Sequence, residues 1–287
     1  MMHLAVFALQ HTAIATVNNG TTPCETSLDC SLNGVCTAGV CSCDSPWTGP
    51  RCGILRFASP SPAAGRDLWP VNDTAHNTWN GPMIGPGEDG LYHMYLPVYA
   101  HPSSTPLYNP TDMFHGTASH RLGPWTWRNL TGVDVNFNPG ALVYGEGVHR
   151  RYTIWVSGHP GKIYHSHSPD GPFTEIPGSN ATVACSINPS PLFVNGTFFC
   201  TGQKGGTIMT APHLGGPWTQ YATIDGVRGE DPFLYVDKRG NWHTLYHSAN
   251  GSQVYASKCL FSSVVILMLM KMCVVQLLYL CSLHRDL

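Results

Sequence analysis

Six cysteines lie within residues 24–52 of this 287-residue chain, and thiols at that density form either disulfides or a metal cluster. Their spacing is C-x5-C-x5-C-x4-C-x-C-x8-C. The segment has neither a Cys-x2-Cys pair nor a histidine, which argues against zinc, and we predict no metal and no other cofactor. A unit of about 30 residues buries too little apolar surface to fold unaided, so disulfides are expected to replace its core. The spacing by itself leaves the pairing open.

The residues between these cysteines point to a known module. Asn33-Gly34 separates the second and third cysteines, and Trp47-Thr-Gly49 lies between the fifth and sixth. The pattern resembles an EGF-like module, which we place at residues 20–53. The resemblance implies three disulfides: Cys24–Cys36, Cys30–Cys41 and Cys43–Cys52. The stretch before the first cysteine, Gly20–Pro23, lacks acidic residues, and no calcium site is expected there.

Asn-x-Ser/Thr sequons indicate the same cellular compartment as the disulfide-rich module does. Each is a potential attachment site for an N-linked glycan in a secreted protein. The predicted glycosylation sites are Asn19, Asn72, Asn129, Asn180, Asn195 and Asn250. Cys185 and Cys200 are predicted to form a further disulfide. Disulfides and sequons together predict a secreted or cell-surface protein.

Composition favours strands and turns over long helices. The chain has 30 glycines and 23 prolines, and 10% of its residues are aromatic. Charged residues make up 11% of the chain, and the formal net charge is −2. Nucleic-acid binding is not expected, because it needs a basic surface. The predicted fold class is mainly β.

A repeat organises the main body of the chain. The phrase Gly123-Pro-Trp-Thr126 returns as Gly171-Pro-Phe-Thr174 and Gly216-Pro-Trp-Thr219, at intervals of 48 and 45 residues. A second phrase recurs half a period away as Asn80-Gly-Pro82, Asn138-Pro139, Asn188-Pro189 and Asp231-Pro232. Repeats of this length, each holding about four strands, are typical of β-propeller blades. A β-sandwich with recurring turns is the alternative. We predict a linker at 54–74 and about four blades at 75–258.

The order of these phrases resembles the five-bladed propellers of glycoside hydrolase family 43. That resemblance implies a base Asp in the first blade, an orienting Asp in the third and an acid Glu in the fourth. Glu230 matches the acid. Asn188 and Gly81 stand where the two aspartates would be, so two of the three acids are absent. Asp231 is a substitute candidate, but strand neighbours point to opposite faces, so only one of Glu230 and Asp231 would face the central funnel.

Three functions follow from this pattern. The leading expectation is a degenerate glycosidase or glycan binder, with glycans or polysaccharide as partners. The first alternative is an active hydrolase with Glu230 as general acid. The second is an adhesive ectodomain that binds proteins through the EGF-like module. The candidate ligand-binding residues are Trp79, Asn80, His115, Asn188 and His247.

Both ends of the chain are apolar. Residues 1–17 resemble a secretory signal peptide. Residues 260–282 replace the next expected Gly-Pro-aromatic phrase with an apolar run, in which Val264–Cys281 has nearly the length of a membrane-spanning helix. A membrane anchor and a gene model that departs from the true reading frame are the two interpretations. Lys271 in the middle of the run would be costly in a bilayer, and the loss of the repeat within a blade favours the second.

Overall fold

The computed structural model describes residues 23–56, 76–78, 81–100, 112–134, 138–156, 161–203, 206–223, 229–248 and 256–261. Contacts within the chain divide the protein into two compact units, Met1–Arg56 and Phe57–Leu287. The predicted signal peptide, most of the predicted linker and most of the apolar tail lie outside the described residues. Within those residues no helix is long and apolar enough to cross a membrane.

The first unit is the EGF-like module, built from two small hairpins. Strands β1 (Gly34–Thr37) and β2 (Val40–Cys43) pair antiparallel, as do β3 (Trp47–Thr48) and β4 (Ile54–Leu55). The disulfides are Cys24–Cys36, Cys30–Cys41 and Cys43–Cys52, the three that the resemblance implied. The buried core of this module consists mainly of the cysteine side chains that form these disulfides. Each cross-link typically contributes about 2–4 kcal/mol, mainly by restricting the unfolded chain.

The second unit consists of successive antiparallel sheets, as the repeat predicted, and the described residues contain four of them. The first blade has β5 (His76–Thr78), β6 (Met83–Ile84), β7 (Tyr92–Ala100), β8 (Asp112–Ala118) and β9 (Thr126–Asn129). The second has β10 (Gly140–Tyr144), β11 (Arg151–Val156), β12 (Lys162–Ser166) and β13 (Thr174–Glu175). The third has β14 (Ser190–Val194), β15 (Thr197–Thr201), β16 (Thr207–Ala211) and β17 (Thr219–Thr223). The fourth has β18 (Gly229–Val236), β19 (Trp242–Ser248) and β20 (Ala256–Phe261).

The Gly-Pro-aromatic phrase has one structural role in all three blades where it occurs. It is the turn that leads into the outermost strand, β9, β13 or β17. Its glycines have φ of 90°, 83° and 92°, a conformation that residues with a Cβ rarely adopt. Its aromatic residues pack into the core, with Trp125 and Phe173 buried and Trp218 partly so. The repeat in the sequence is therefore a repeated edge turn.

The hydrophobic core lies between the sheets. Tyr95 and Met113 of the first blade pack with Ile154 of the second. Trp155 of the second blade packs with Phe198 of the third. Phe199 and Ile208 pack with Leu234 and Tyr246 of the fourth blade in the same way. Each fully buried side chain of this size contributes about 1.5–3 kcal/mol, so a blade depends on its neighbours for stability.

A short helix and a disulfide support the third blade. Helix α1 (Ala181–Cys185) begins after Asn180, whose side chain accepts hydrogen bonds from the backbone of Thr182 and Val183. Cys185 at its end bonds to Cys200 on β15, the pair that the sequence predicted. The disulfide thus joins the helix to a central strand of its blade.

The fourth blade continues past its predicted end. Strand β20 runs to Phe261 and pairs with β19, whereas the sequence placed the end of the propeller at 258 and the start of the apolar tail at 260. The tail expectation beyond Phe261, including the C-terminal apolar helix, lies outside the described residues.

Candidate functional site

Residues from all four copies of the second repeated phrase line one cavity of about 350 Å³. In the second and third blades the phrase immediately precedes the innermost strands β10 and β14, and in the fourth it lies within β18. Because the same end of each innermost strand carries the phrase, four blades contribute to one site. The lining comprises Gly81, Pro82, Met83, Asn138, Pro139, Gly140, Ala141, Asn188, Pro189, Ser190, Pro191, Asp231, Pro232 and Phe233.

Three polar residues of the lining occupy equivalent positions and share an unusual backbone conformation. Asn138, Asn188 and Asp231 have φ of 50°, 57° and 49°. Asn and Asp tolerate this left-handed region better than other residues with a Cβ. A following proline normally drives its predecessor into extended backbone, so the conformation is strained at all three sites. Strain of this kind tends to occur at functional sites.

The side chains of these three residues form one hydrogen-bonded group, here called the axis network. Asn188 donates through Nδ2 to Asp231 Oδ1 at 2.8 Å, and Asn138 Nδ2 donates to the same oxygen at 3.2 Å. Asn138 Nδ2 also donates to Asn188 Oδ1 at 2.8 Å. Both asparagines are only 6% exposed. Asn138 Oδ1 is buried and has no hydrogen-bond partner among the described residues.

The first blade contributes no side chain at the equivalent position. A Cβ on Gly81 would lie 2.7 Å from the backbone oxygen of Tyr95 and 2.7 Å from Leu96 Cδ1. Contacts that short to backbone are not tolerated without movement of the strand. Hence the position that the resemblance assigns to a base aspartate has no room for one.

Glu230 and Asp231 are oriented by a break in β18. The register of β18 against β19 shifts between Glu230 and Phe233, which places Asp231 in the left-handed conformation. Asp231 lines the cavity. Glu230 is half-buried beside it and accepts a hydrogen bond from Gln203 Nε2 at 2.7 Å. The catalytic role predicted for Glu230 therefore concerns a residue next to the cavity lining, and Asp231 is the acid in the lining.

Two apolar side chains line the cavity and are exposed to solvent. Phe233 is 59% exposed and Met83 is 44% exposed. The Phe233 ring stacks on Tyr235, with centroids 5.7 Å apart and an interplanar angle of 29°. The stacking fixes an aromatic surface beside the polar network. Sequence reasoning missed Phe233 and Asn138, although Asn138 belongs to the repeated phrase that marked Asn188 and Phe233 directly follows a copy of it.

The other predicted ligand-binding residues are placed as follows. Trp79 and Asn80 lie outside the described residues. His247 is on β19 directly opposite Glu230, and its side chain is not among those described. Asn188 belongs to the axis network. His115 is fully buried on β8, away from the cavity lining.

His115 belongs to a second polar group, here called the histidine chain. Arg128 donates through Nε to His115 Nδ1 at 3.3 Å. Arginine can only donate, so this contact favours the neutral tautomer of His115 with its proton on Nε2, which faces His93 Nδ1 at 3.0 Å. The Asp170 carboxylate, with Oδ1 3.2 Å from the same His115 Nδ1, favours the opposite tautomer. His93 Nε2 in turn lies 3.3 Å from Asp89 Oδ1. All four imidazole nitrogens of the histidine chain, two in His93 and two in His115, therefore have a hydrogen-bond partner.

Burial controls the protonation of the histidine chain. Both imidazoles are almost inaccessible to solvent. Burial, followed by the effect of neighbouring His93, lowers the pKa of His115 to about 4. Arg128 lowers it further, and the Asp170 carboxylate, which pairs with Arg128, opposes the shift. His93, His115 and Asp170 are close enough to one another to hold a metal ion, but the hydrogen bonds described above already satisfy both rings.

Comparisons with known proteins give one family match and a set of similar solved structures. Residues 27–54 match the Teneurin-like EGF domain family. A search of curated proteins finds no match. Among solved structures, the chain is similar to a family 117 glycoside hydrolase from Zobellia galactanivorans. Sequence identity is 15%, coverage is 65% of this chain and 67% of that one, and the TM-score is 0.46.

Two further structures are similar to the same extent. One is the exo-β-1,3-galactanase from Phanerochaete chrysosporium with galactose, at 16% identity, 67% and 49% coverage and a TM-score of 0.46. The other is a GH43_1 enzyme from Xanthomonas citri complexed with xylose, at 12% identity, 63% and 68% coverage and a TM-score of 0.44. The chain thus spans about half the length of the fungal galactanase.

Proposed function

We propose that the protein is an extracellular glycan-binding protein whose site is the cavity lined by the axis network. The observation that carries this proposal is the group of amides around the fixed carboxylate of Asp231, in which the buried Asn138 Oδ1 has no partner among the described residues. A buried acceptor without a partner costs about 1–3 kcal/mol, and a ligand hydroxyl group that reached it through a movement of the Asn138 side chain would recover that cost. Sugar hydroxyls are donors of the required kind.

The rest of the lining also suits a sugar. Asp231 accepts from two amide groups, so its carboxylate is held in one orientation as an acceptor for ligand hydroxyls. Phe233 is exposed and held by Tyr235, and an aromatic ring can pack on the apolar face of a sugar ring. A concave site with a few converging polar groups and an aromatic wall is the usual form of a small-ligand site.

Hydrolysis by paired carboxyl groups is less well supported. Glycosidases place an acid and a base or nucleophile on either side of the scissile bond. Among the described lining residues Asp231 is the only carboxylic acid. Asn188 cannot ionise, and the Gly81 position has no space for a side chain. A binding site that resembles a hydrolase site without its acid pair is the simpler account.

One observation favours the alternative of an active hydrolase. Glu230 is half-buried next to Asp231, and its side chain is held by Gln203. Two carboxyl groups are therefore adjacent in the chain, although Glu230 is not part of the described cavity lining. In this alternative Glu230 is the general acid.

The extracellular assignment is supported by cross-linking. Three disulfides stabilise the EGF-like module, and a fourth joins Cys185 to Cys200. Disulfides persist in oxidising compartments and are rare in the cytosol. Protein partners would contact the EGF-like module, where Val35 and Val40 are exposed on β1 and β2.

A screen of binding and turnover tests the proposal against the alternative. The full chain and its Glu230→Gln variant are titrated with arabino-, xylo- and β-1,3-galacto-oligosaccharides, and the products are analysed by chromatography. Glu175→Gln, on the exposed strand β13, is the matched control. Binding without turnover, unchanged by Glu230→Gln, is expected. Turnover that Glu230→Gln abolishes and the control retains would establish the hydrolase instead.

A further inference from the structure

The three sequons within the described residues differ in their surroundings. Asn129 is exposed at the end of β9, and Asn195 is exposed in the turn between β14 and β15. Asn180 is half-buried and caps α1. An N-linked glycan is bulky and needs open space around the amide nitrogen. Exposure therefore separates the first two sequons from the third.

We infer that Asn129 and Asn195 carry N-linked glycans. Asn195 and Gly196 form the two-residue turn of a hairpin, with φ of 49° and 79°. Both residues project from the end of the sheet, and the attached glycan would extend directly into solvent. Thr197, which completes the sequon, follows at the start of β15.

The surroundings of Asn129 accommodate a glycan without loss of its hydrogen bond. Its Nδ2 donates to Asp112 Oδ1 at 3.0 Å. The amide nitrogen carries two hydrogens, so attachment of a glycan replaces one and leaves the other to donate. Leu130, the middle residue of the sequon, is buried, whereas Thr131 is exposed.

Neither position belongs to the described cavity lining. Ser190 lines the cavity, and Asn195 lies five residues further along the same hairpin, about 17 Å away at the rise of an antiparallel strand. Asn129 is on β9, three strands away from β6, whose first residue, Met83, lines the cavity. Three strand spacings amount to about 14 Å.

The glycan on Asn129 also has a structural consequence. Strand β9 is the outer edge of the first blade in the described sheet order. Exposed edge strands present unpaired backbone groups that invite pairing between chains, and proteins protect them with charges, bulges or covering groups. A glycan at the end of β9 would cover this edge.

Peptide mass spectrometry tests the two sites. The full chain is produced in eukaryotic cells and recovered from both cells and medium. Release of N-glycans by peptide:N-glycosidase F in water enriched in the heavy oxygen isotope converts each glycosylated asparagine to labelled aspartate. We expect the label at Asn129 and Asn195 and not in a parallel sample without the enzyme. An unlabelled asparagine at either position would overturn the assignment of that site.

Threonine variants provide the matched control. Thr131→Ala and Thr197→Ala remove each sequon but keep the asparagine, so the Asn129–Asp112 hydrogen bond and the Asn195 turn stay intact. Each variant is expected to lose one glycan, seen as one step of increased mobility on a denaturing gel. Mobility equal to that of the original chain in both variants would contradict the proposal.

Discussion

The two polar groups of the propeller, the axis network and the histidine chain, differ in how completely their hydrogen bonds are satisfied. In the histidine chain each imidazole nitrogen has a partner, and both rings are buried between strands. In the axis network one buried acceptor, Asn138 Oδ1, is without a partner among the described residues, and the group lines a cavity. A satisfied and enclosed network stabilises the fold, whereas an incomplete one at a cavity is available to a ligand.

The largest expected effect comes from deleting a ring of the histidine chain. His115→Ala removes a fully buried side chain and leaves Arg128 and His93 without their partner. We expect the free energy of unfolding to fall by about 3–5 kcal/mol, from the lost packing and the unpaired polar groups. Chemical denaturation followed by tryptophan fluorescence measures the change. A decrease in the free energy of unfolding of less than about 1 kcal/mol would show that the histidine chain has no structural role.

Acid should destabilise the protein through the same residue. Burial lowers the pKa of His115 to about 4 in the folded chain, from the ordinary histidine value of 6.5 that we expect on unfolding. Between these values the unfolded state binds more protons, so stability decreases as the pH falls from 6.5 towards 4. The full difference corresponds to about 3 kcal/mol.

Denaturation curves across that pH range measure this dependence, with His115→Gln as the control. The variant cannot take up the proton, and its stability should vary less with pH. Equal slopes in the two proteins would assign the acid sensitivity to other groups, with Asp89, His93 and Asp170 the neighbouring titratable groups.

A smaller effect is expected where the first blade meets the cavity. Gly81→Ala places a Cβ against the backbone of Tyr95, and we expect a loss of about 1–3 kcal/mol, as for other overpacked sites. Gly90→Ala is the control for replacing a glycine without a steric clash, because nothing lies within 4 Å of its Cβ position. The φ of 75° at Gly90 adds backbone strain to this control variant. Thermal denaturation ranks the two variants. A Gly81→Ala protein as stable as the original would mean that this position has room for a side chain.

The smallest expected effect concerns the aromatic wall of the cavity. Phe233→Ala should weaken oligosaccharide binding by about 3–10-fold, the range that aromatic contacts of about 0.5–1.5 kcal/mol provide. Its ring is 59% exposed, so stability should hardly change. Tyr221→Ala, at another exposed aromatic residue outside the cavity lining, is the control. Equal affinities in both variants would remove Phe233 from the site.

The sequence predicted the EGF-like module and the repeated sheets because both leave local signals. Cysteine spacing marks the module, and a turn that requires glycine and proline marks each blade edge. The orientation of Asp231 could not be predicted, since alternation along a strand holds only without a bulge, and β18 has one. His115 was a candidate ligand residue because its type suggested chemistry. Its partners His93 and Arg128 are distant in the chain, so its enclosure appears only in the fold.

The affinity of Asp231→Asn for an oligosaccharide, measured by titration calorimetry beside its free energy of unfolding, tests the central claim most directly. The substitution keeps the shape of the side chain and removes the charge that accepts from Asn138 and Asn188. We predict affinity reduced by about 10–100-fold, as expected for a charged hydrogen bond, with stability changed by less than about 1 kcal/mol. Affinity equal to that of the original chain would contradict the assignment of the axis network as the glycan site.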